Sequence, residues 1–290
     1  MRCGLRPLLD LAHQTRAIDV GQAQQRLALD EPAEERQPLI EQFNNLMQRV
    51  DRTYAQLEGF NADVAHELRT PLANLIGQTE LALSRERRTS ELEDTLHCNL
   101  EGLQRMAGII NDMLFLAQTD RGVKARCSAP VSLAKLVRQG VEFHEAPMEE
   151  AGLSIHIDGD LRLPVDESLV KRALSNWLGN AIRYAQRASE LRVHIAQSTD
   201  GRAQLWVENM GPTVPPEQLP RLFDRFFRAD ASRCEIKRPH HGLGLSIVVA
   251  IARRHDDQTM IESAAGRTRV GFSLLGALIA GATEAVAATS

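Results

Sequence analysis

The sequence is poor in aromatic residues and carries no excess of positive charge. Aromatic side chains make up 4% of its 290 residues, and its formal net charge is −4. Nucleic-acid binding usually requires a basic face or rings that stack on bases, so we expect no nucleic-acid partner. With 43% hydrophobic residues, the chain has enough apolar side chains for two or three modules with ordinary cores.

Metal-binding cysteine pairs and long apolar runs are also missing. The four cysteines lack C-x-x-C spacing, which predicts a reducing compartment and no metal cage; they are Cys3, Cys98, Cys127 and Cys234. No run of about 18 apolar residues occurs, and the start, "MRCGLRPLLDLAHQ", turns polar too early for a signal peptide. The sequence as given predicts a cytoplasmic chain without a transmembrane segment.

The first half of the chain is patterned for helices. Residues 1–30 predict an amphipathic helix, and a second helix begins near Gln37. Its apolar residues from Leu39 to Leu57 alternate steps of four and three, which is a heptad seam that favours dimerisation.

His66 lies on the polar side of this second helix. The apolar stripe that follows Leu57 stays within roughly 60° of it on a helical wheel, whereas His66 lies about 180° away. The imidazole is therefore expected to point into water, with Glu67 beside it and Thr70 one turn later. Pro71 leaves the Glu67 carbonyl without its helical partner, so we expect a local bend there.

Another long helix follows the charged turn "SRERRTSE". Its apolar residues run from Leu92 to Ala117 in steps of four and three. Two long helices joined by a short loop predict an antiparallel αα-hairpin. Apolar stripes of this length imply a four-helix bundle made from two chains, so we expect a homodimer. The segment "TDRGVKARCSAP" then has the composition of a linker.

From residue 131 onward the pattern changes to short strands. Alternating apolar residues predict strands near 153–157, 191–195, 205–207 and 270–274. Helical patterns lie between them, at 132–150, 167–187 and 243–255. One set of strands with helices covering one face describes an α+β sandwich.

A polar edge accompanies the apolar stripe of the helix "DESLVKRALSNWLGNAIRYAQ". Asp166 can cap its start, and Asn176, Asn180 and Arg183 fall within roughly 60° of one another. Two amides and a guanidinium suit a magnesium–phosphate group, because an amide oxygen is a hard neutral ligand and arginine meets phosphate oxygens. The alternative is that the asparagines only bond or cap the backbone.

Two glycine-containing stretches flank an aromatic cluster. In "VENMGPTVP", Asn209 ends a strand and could hydrogen-bond an adenine edge, with Gly211 letting the base come close. In "HHGLGLSIV", Gly242 and Gly244 precede a helix whose positive end could approach a phosphate. The aromatic residues between these stretches could anchor a mobile loop or simply pack in a core: Phe223, Phe226 and Phe227.

Taken in order, these stretches resemble the motifs of sensor histidine kinases of bacterial two-component systems. "HELRTP" resembles the H box, "NWLGNAIRYA" the N box, "VENMGPTVP" the first glycine box, "LFDRFFR" the F box and "HGLGLSIV" the second glycine box. The stretches "FNADVAHELRTPLANLIGQTELAL" and "PPEQLPRLFDRFFRAD" are most similar to the heavy-metal sensor kinase subfamily. The start, "GLRPLLDLA", resembles a HAMP signal relay.

The resemblance implies a multidomain protein. Residues 1–55 would form a helical HAMP-like relay, 56–121 a dimeric four-helix-bundle domain for dimerisation and histidine phosphotransfer (DHp), 130–276 an α/β, GHKL-type ATP-binding domain, and 277–290 a tail. A full-length relative would lie at the cytoplasmic face of the inner membrane, held by transmembrane segments absent from this chain. Its partners would be a second copy and a response regulator receiver domain.

The resemblance also implies roles for the matching residues. His66 would take the γ-phosphoryl group of ATP and pass it to a regulator aspartate, with Glu67 as base. Thr70 would position a water for the reverse reaction. Asn180 would bind Mg²⁺ with Asn176 in support, and the remaining nucleotide contacts would come from Arg183, Tyr184, Asn209, Gly211, Gly242 and Gly244.

Several positions depart from the family pattern. Asn209 replaces the aspartate with which most of these kinases read adenine, as it does in the heavy-metal branch. His240 and Thr213 stand where glycines are usual, and "HDDQTM" has two aspartates in place of a glycine turn. We expect these changes to affect nucleotide affinity more than the fold. Two alternatives stay open: a degenerate kinase that binds a regulator without turnover, and a gyrase-like ATPase, against which the exposed His66 argues.

Overall fold

The computed structural model describes residues 37–120, 122–127, 129–229 and 241–274. The helix predicted for residues 1–30, His240 and the tail at 277–290 lie outside these described residues. The chain divides into two compact units, with the boundary between residues 77 and 78. In the described ranges, no helix combines the length and the apolar character needed to cross a membrane.

Two long helices make up the first half of the described chain. Helix α1 runs over Gln37–Leu83 and helix α2 over Thr89–Asp120, which confirms the predicted turn between them. Pro71 lies inside α1, which is helical on both sides of it. The apolar stripe of α2 is largely exposed in the single chain: Leu92, Leu96, Leu100, Leu103, Ile110 and Leu114.

A five-stranded sheet forms the centre of the second half. Its strand order is β2-β4-β5-β7-β6, where β2 is parallel to β4 and the other neighbours are antiparallel. A separate antiparallel pair is formed by β1 (Val131–Ser132) and β3 (Arg162–Leu163). The strands of the sheet are β2 (Ser154–Asp158), β4 (Glu190–Gln197), β5 (Ala203–Met210), β6 (Thr259–Ala264) and β7 (Arg267–Leu274).

Four α-helices and a short 3₁₀ helix (Leu219–Phe223) accompany this sheet in the described residues, which confirms the predicted α+β sandwich. The α-helices are α3 (Leu133–Glu142), α4 (Glu145–Ala151), α5 (Glu167–Tyr184) and α6 (Gly244–Arg254). Helix α5 lies against β5 and α6 against β6 and β7, while α3 packs on α5.

Two helices, α3 and α4, occupy the stretch predicted as helical at residues 132–150, with a break between them. Pro147 lies in the first turn of α4. In a continuous helix its ring would clash with the carbonyl group of Phe143, four residues earlier. The helix therefore ends before this point and starts again after His144.

The core of the sandwich lies between α5 and the sheet. Trp177 and Phe272 are both buried, and their ring centroids lie 4.7 Å apart. The predicted apolar stripe of α5 is buried except for Ile182, which is half-buried; its buried members are Val170, Ala173, Leu174, Trp177, Leu178 and Ala181.

The C-terminal end of α2 packs on α5 and α6. Phe115 is buried between two guanidinium groups, with Arg172 4.1 Å and Arg254 4.3 Å from its ring centroid. Arg172 also donates to Asp112 at 2.5 Å, and Arg254 donates to Thr119 at 2.9 Å. Burial, together with the charge of Arg172, holds the pKa of Arg254 below its usual value. The end of α2 thus belongs to the same compact unit as the sheet.

Asp166 caps α5, as the sequence predicts. Its carboxylate accepts hydrogen bonds from the Leu169 N–H at 3.2 Å and from the Ser168 hydroxyl at 2.7 Å. Its other oxygen accepts from the Arg126 N–H. Partial burial alone would raise the pKa of Asp166, but these hydrogen bonds, helped by the nearby His255, outweigh burial and lower it.

We expect Asp166→Ala to lower the free energy of unfolding at pH 7 by about 1 kcal/mol, because the N-cap is lost. A lowered pKa adds stability that is present above the usual value of 3.8 and is lost as pH falls through the folded-state pKa. The loss should therefore shrink in acid. Asp166→Asn is the matched control, since asparagine also caps well. Urea unfolding at pH 7 and at a pH well below 3.8 measures both, and equal losses for the two variants at pH 7 would contradict the capping role.

Candidate functional site

A cavity of about 360 Å³ lies between α5, the sheet and the start of α6. This volume falls in the range of small-molecule sites, about 300–1000 Å³. No aspartate or glutamate is found among its described lining residues. From α5 and the sheet these are Trp177, Asn180, Ala181, Tyr184, Val207, Asn209, Ile261, Thr268 and Val270, and from the intervening segments they include Thr213, Gln218, Leu222, Phe227, Arg228, Gly242, Gly244 and Leu245.

The polar edge of α5 contributes only part of its predicted residues to the cavity. Asn180 and Tyr184 line it, whereas Asn176 and Arg183 are not among its lining residues. The Asn176 side-chain nitrogen instead donates to the Arg172 carbonyl oxygen at 2.9 Å. The amide nitrogen of Asn176 thus bonds the helix backbone, as the alternative interpretation of the asparagines predicted.

The end of strand β5 brings Asn209 to the cavity. Asn209 is 8% exposed, and it is paired in register with Thr268 of β7, which also lines the cavity. Gly211 is not among the lining residues. A side chain at Gly211 would overlap the carbonyl oxygen of Tyr184. Glycine is therefore needed at this position because the protein's own backbone lies close to it.

Two glycines form the other end of the cavity, at the start of α6. Gly242 has φ +66°, and a Cβ atom there would lie 2.7 Å from the Phe226 carbonyl carbon. Gly244 is the first residue of α6, and a Cβ atom there would lie 2.9 Å from the Asn176 amide oxygen. The N-cap residue of α6, Leu243, makes no side-chain capping hydrogen bond. The first N–H groups of α6 therefore suit an anionic ligand.

The aromatic cluster is half-buried beside this glycine end. Phe227 lines the cavity, and the Arg221 guanidinium lies 4.4 Å from its ring centroid. Phe226 has φ +62°, and its N–H donates to the Gly242 carbonyl oxygen at 3.0 Å. The cluster thus packs against the glycine that shapes the cavity.

His66 is exposed on α1, as predicted from the helical wheel. Glu67 is half-buried and Thr70 is exposed. The Thr70 hydroxyl lies 3.5 Å from the His66 carbonyl oxygen, one helical turn away. These three residues lie in the first compact unit, and the cavity lies in the second.

The departures from the family pattern have structural explanations where they are described. The Thr213 hydroxyl accepts a hydrogen bond from the Gly266 N–H at 2.9 Å. Asp256 adopts φ +59°, a conformation that aspartate tolerates better than most residues. Asp257 is buried and pairs with Arg202 at 2.9 Å. The fold accommodates these residues without glycine.

Sequence reasoning missed part of the cavity. Thr268, Gln218 and Arg228 line it, yet none of them stands in a stretch singled out as ligand-binding. Thr268 reaches the cavity through its cross-strand pairing with Asn209. Only the strand register could have identified it.

The chain matches two protein families. Residues 56–122 match the His Kinase A (phospho-acceptor) domain, and residues 165–276 match the family described as histidine kinase-, DNA gyrase B- and HSP90-like ATPase. Sensor histidine kinase CusS of Escherichia coli K12 is 39% identical over 272 residues, which cover 93% of this chain and 56% of that protein. Sensor protein CopS of Pseudomonas syringae pv. tomato is 35% identical over 232 residues, covering 80% and 47%. The chain spans about half the length of these curated relatives.

Solved structures share the fold. Acinetobacter baumannii histidine kinase AdeS matches with a TM-score of 0.58 and 18% identity, covering 72% of this chain and 96% of that one. Histidine kinase ThkA, in its complex with response regulator protein TrrA, matches with a TM-score of 0.60 and 20% identity, covering 77% and 63%. The chain thus carries a phosphoacceptor domain followed by an ATPase domain of the histidine kinase type, is similar to both curated relatives over most of its length, and belongs to the sensor histidine kinase family.

Proposed function

We propose that this chain is the kinase portion of a sensor that phosphorylates itself on His66 with Mg-ATP and transfers the phosphoryl group to an aspartate of a response regulator. One observation carries the proposal: the chain combines an exposed histidine on a long helix with a nucleotide-sized cavity that ends at an uncapped helix N-terminus. An acceptor that two other proteins or domains must reach has to be exposed.

The two ends of the cavity differ in a way that suits a nucleotide. The end formed by Asn209 and Thr268 with the apolar walls Val207, Ile261 and Val270, which we name the base end, suits a flat ring with a hydrogen-bonding edge. The end formed by Gly242, Gly244 and the α6 N-terminus, which we name the glycine end, suits phosphates.

Asn180 is the residue that would hold Mg²⁺. It lines the cavity on α5, and its amide oxygen is a hard, neutral ligand that can share an ion with phosphate oxygens. The missing side chain at Gly244 leaves room for the Asn176 amide beside it. When bound there, the ion would supply positive charge against the negative charge that develops on the transferred phosphoryl group.

His66 and Glu67 would carry the transfer itself. A ring nitrogen of His66 attacks the γ-phosphorus with its lone pair, and the bond from that phosphorus to the ADP oxygen breaks. Glu67, the next residue on α1, would accept the proton from the other ring nitrogen. Thr70, one turn later, would position water for hydrolysis of the phosphorylated histidine.

A homodimer would cover the exposed apolar stripes. On α2 these residues recur at steps of four and three, which is the spacing of a helix-bundle seam. Residues exposed at 50% or more include Leu96, Leu100 and Leu103, and a contiguous apolar surface of this kind marks an interaction site. A second copy supplies the same stripe, so the interface would be self-complementary.

The signal would be a heavy metal, and the chain would lie on the cytoplasmic side of a membrane-anchored sensor. The support is the resemblance of the sequence around His66 and around Phe223 to the heavy-metal subfamily. The departures that the structure describes, at Thr213 and Asp256, fit the fold and so do not favour a degenerate, non-catalytic partner.

Incubation with Mg-ATP labelled at the γ-position should label His66, giving an acid-labile and alkali-stable product. His66→Gln should abolish this label. His97→Gln is the matched control, because His97 is also exposed and lies on α2; it should keep the label. Label that persists in His66→Gln would overturn this assignment. Steady phosphate release that does not need His66 would favour the gyrase-like alternative.

Gly242→Ala should weaken Mg-ATP binding by at least about tenfold. The positive φ costs an alanine about 1–2 kcal/mol, and its Cβ would press on the Phe226 backbone. Gly108→Ala is the control, because nothing lies within 4 Å of the added Cβ on α2. Titration calorimetry measures both affinities. An unchanged affinity in folded Gly242→Ala protein would remove this glycine from the site.

Leu100→Glu should weaken dimerisation by at least about a hundredfold, because a carboxylate would be buried in the seam. Cys98→Glu adds the same charge about 200° away on the same helix, and Cys98 is exposed; it should leave the dimer intact. Sedimentation equilibrium gives the dissociation constants. Equal behaviour of the two variants would place the dimer interface elsewhere.

A further inference from the structure

The side chains at the base end lack a fixed hydrogen-bonding polarity. Asn209 offers a carbonyl oxygen that accepts and an amide nitrogen that donates, on groups of nearly equal shape. The Thr268 hydroxyl lies 2.8 Å from the Ser263 hydroxyl, and either of them can be the donor. None of the cavity-lining residues that the structure describes is an aspartate or glutamate. No carboxylate among these described residues requires a bound base to donate to it.

The Asn209 amide is held loosely. Within the described residues, its nitrogen donates to the Met210 carbonyl oxygen at 3.4 Å, which is at the weak end of hydrogen-bond geometry. The same nitrogen lies 3.2 Å from where a Cβ atom of residue 211 would stand. Because residue 211 is glycine, this space stays open and the amide can turn about its terminal bond.

Adenine and guanine present opposite edges to such a group. Adenine offers a donor at N6 and an acceptor at N1, whereas guanine offers an acceptor at O6 and a donor at N1. With its oxygen towards N6 and its nitrogen towards N1, the Asn209 amide complements adenine. Turned by half a rotation, it complements guanine. A carboxylate has no donor, so in the same place it could accept from the adenine N6 group but would face the guanine O6 as one acceptor against another.

The remaining walls do not select between the two purines. Val207, Ile261 and Val270 are apolar and contact a ring through its faces and edges without regard to hydrogen bonds. Thr268 can donate or accept as the bound base requires. Selection at the base end thus falls to Asn209.

We propose that Asn209 makes this site accept purine nucleoside triphosphates of both kinds, so that GTP as well as ATP serves as phosphoryl donor to His66. The inference rests on the proposed function, since it names the substrate class of the same cavity. The transfer is unchanged: the histidine nitrogen bonds to the γ-phosphorus, and the leaving group is GDP in place of ADP.

The test compares ATP and GTP, each labelled at the γ-position, as donors to the full chain with Mg²⁺. For the wild-type chain, kcat/KM for the two nucleotides should agree within about tenfold. Asn209→Asp should raise the ratio of ATP to GTP use by at least about tenfold, the range expected for one well-placed pair of hydrogen bonds. Gln204→Glu is the matched control. It adds the same charge on β5, but an odd number of residues away and so on the opposite face of the strand, and its ratio should equal that of the wild type.

The outcomes separate the two proposals. If ATP labels His66 but GTP neither labels it nor displaces bound ATP at about a hundredfold excess, the inference is overturned and the proposed function stands. If neither nucleotide binds, both are overturned. If Asn209→Asp does not fold, displacement of ATP by GTP on the wild-type chain decides alone. An equal ratio in wild type and folded Asn209→Asp would also overturn the role of the amide.

Discussion

The packing of Trp177 on Phe272 is the interaction on which the nucleotide unit depends. Both rings are buried, and their contact fixes the rotation of α5 about its own axis over the sheet. A helix advances about 100° per residue, so Asn180 and Tyr184 emerge within roughly 60° of Trp177. Both therefore reach the cavity because the tryptophan faces the core. The Trp177 side chain also lines the cavity. A change in the packing of the core would therefore also change the shape of the cavity.

Local signals in the sequence were enough to identify four residues that line the cavity: Asn180, Asn209, Gly242 and Gly244. Each stands at a feature that a short stretch can show: a helix edge, a strand end or a helix start. Thr268 could not be found in this way, because it reaches the cavity through the register of β7 against β5, and register is a property of two distant segments. A contact between distant segments likewise explains why residue 211 is glycine, because the Tyr184 backbone lies against it.

The same distinction applies to the fold. The strands with buried apolar alternation, such as β4 and β5, were predicted from the sequence. Strand β6 was missed because it is an edge strand with half-exposed apolar residues, so its side chains show little contrast. The break between α3 and α4, by contrast, was present in the sequence at Pro147. Apolar periodicity alone does not show this break, because it takes no account of the clash that a proline ring makes inside a helix.

The segment between α2 and β1 shows that composition does not measure freedom to move. Its sequence is polar and contains Gly122, as expected of a linker, yet three consecutive residues are fixed to the nucleotide unit by polar contacts. These are the ion pair Lys124–Asp256, the backbone bond Ala125–Arg254 at 2.8 Å and the bond Arg126–Asp166 at 3.2 Å. Hydrophobic patterning cannot reveal such contacts. While they hold, bending in this segment must be confined to residues before 124 or after 126, and the α2 end around Phe115 stays attached as well. A hinge that moves the cavity has to break these contacts or lie outside them.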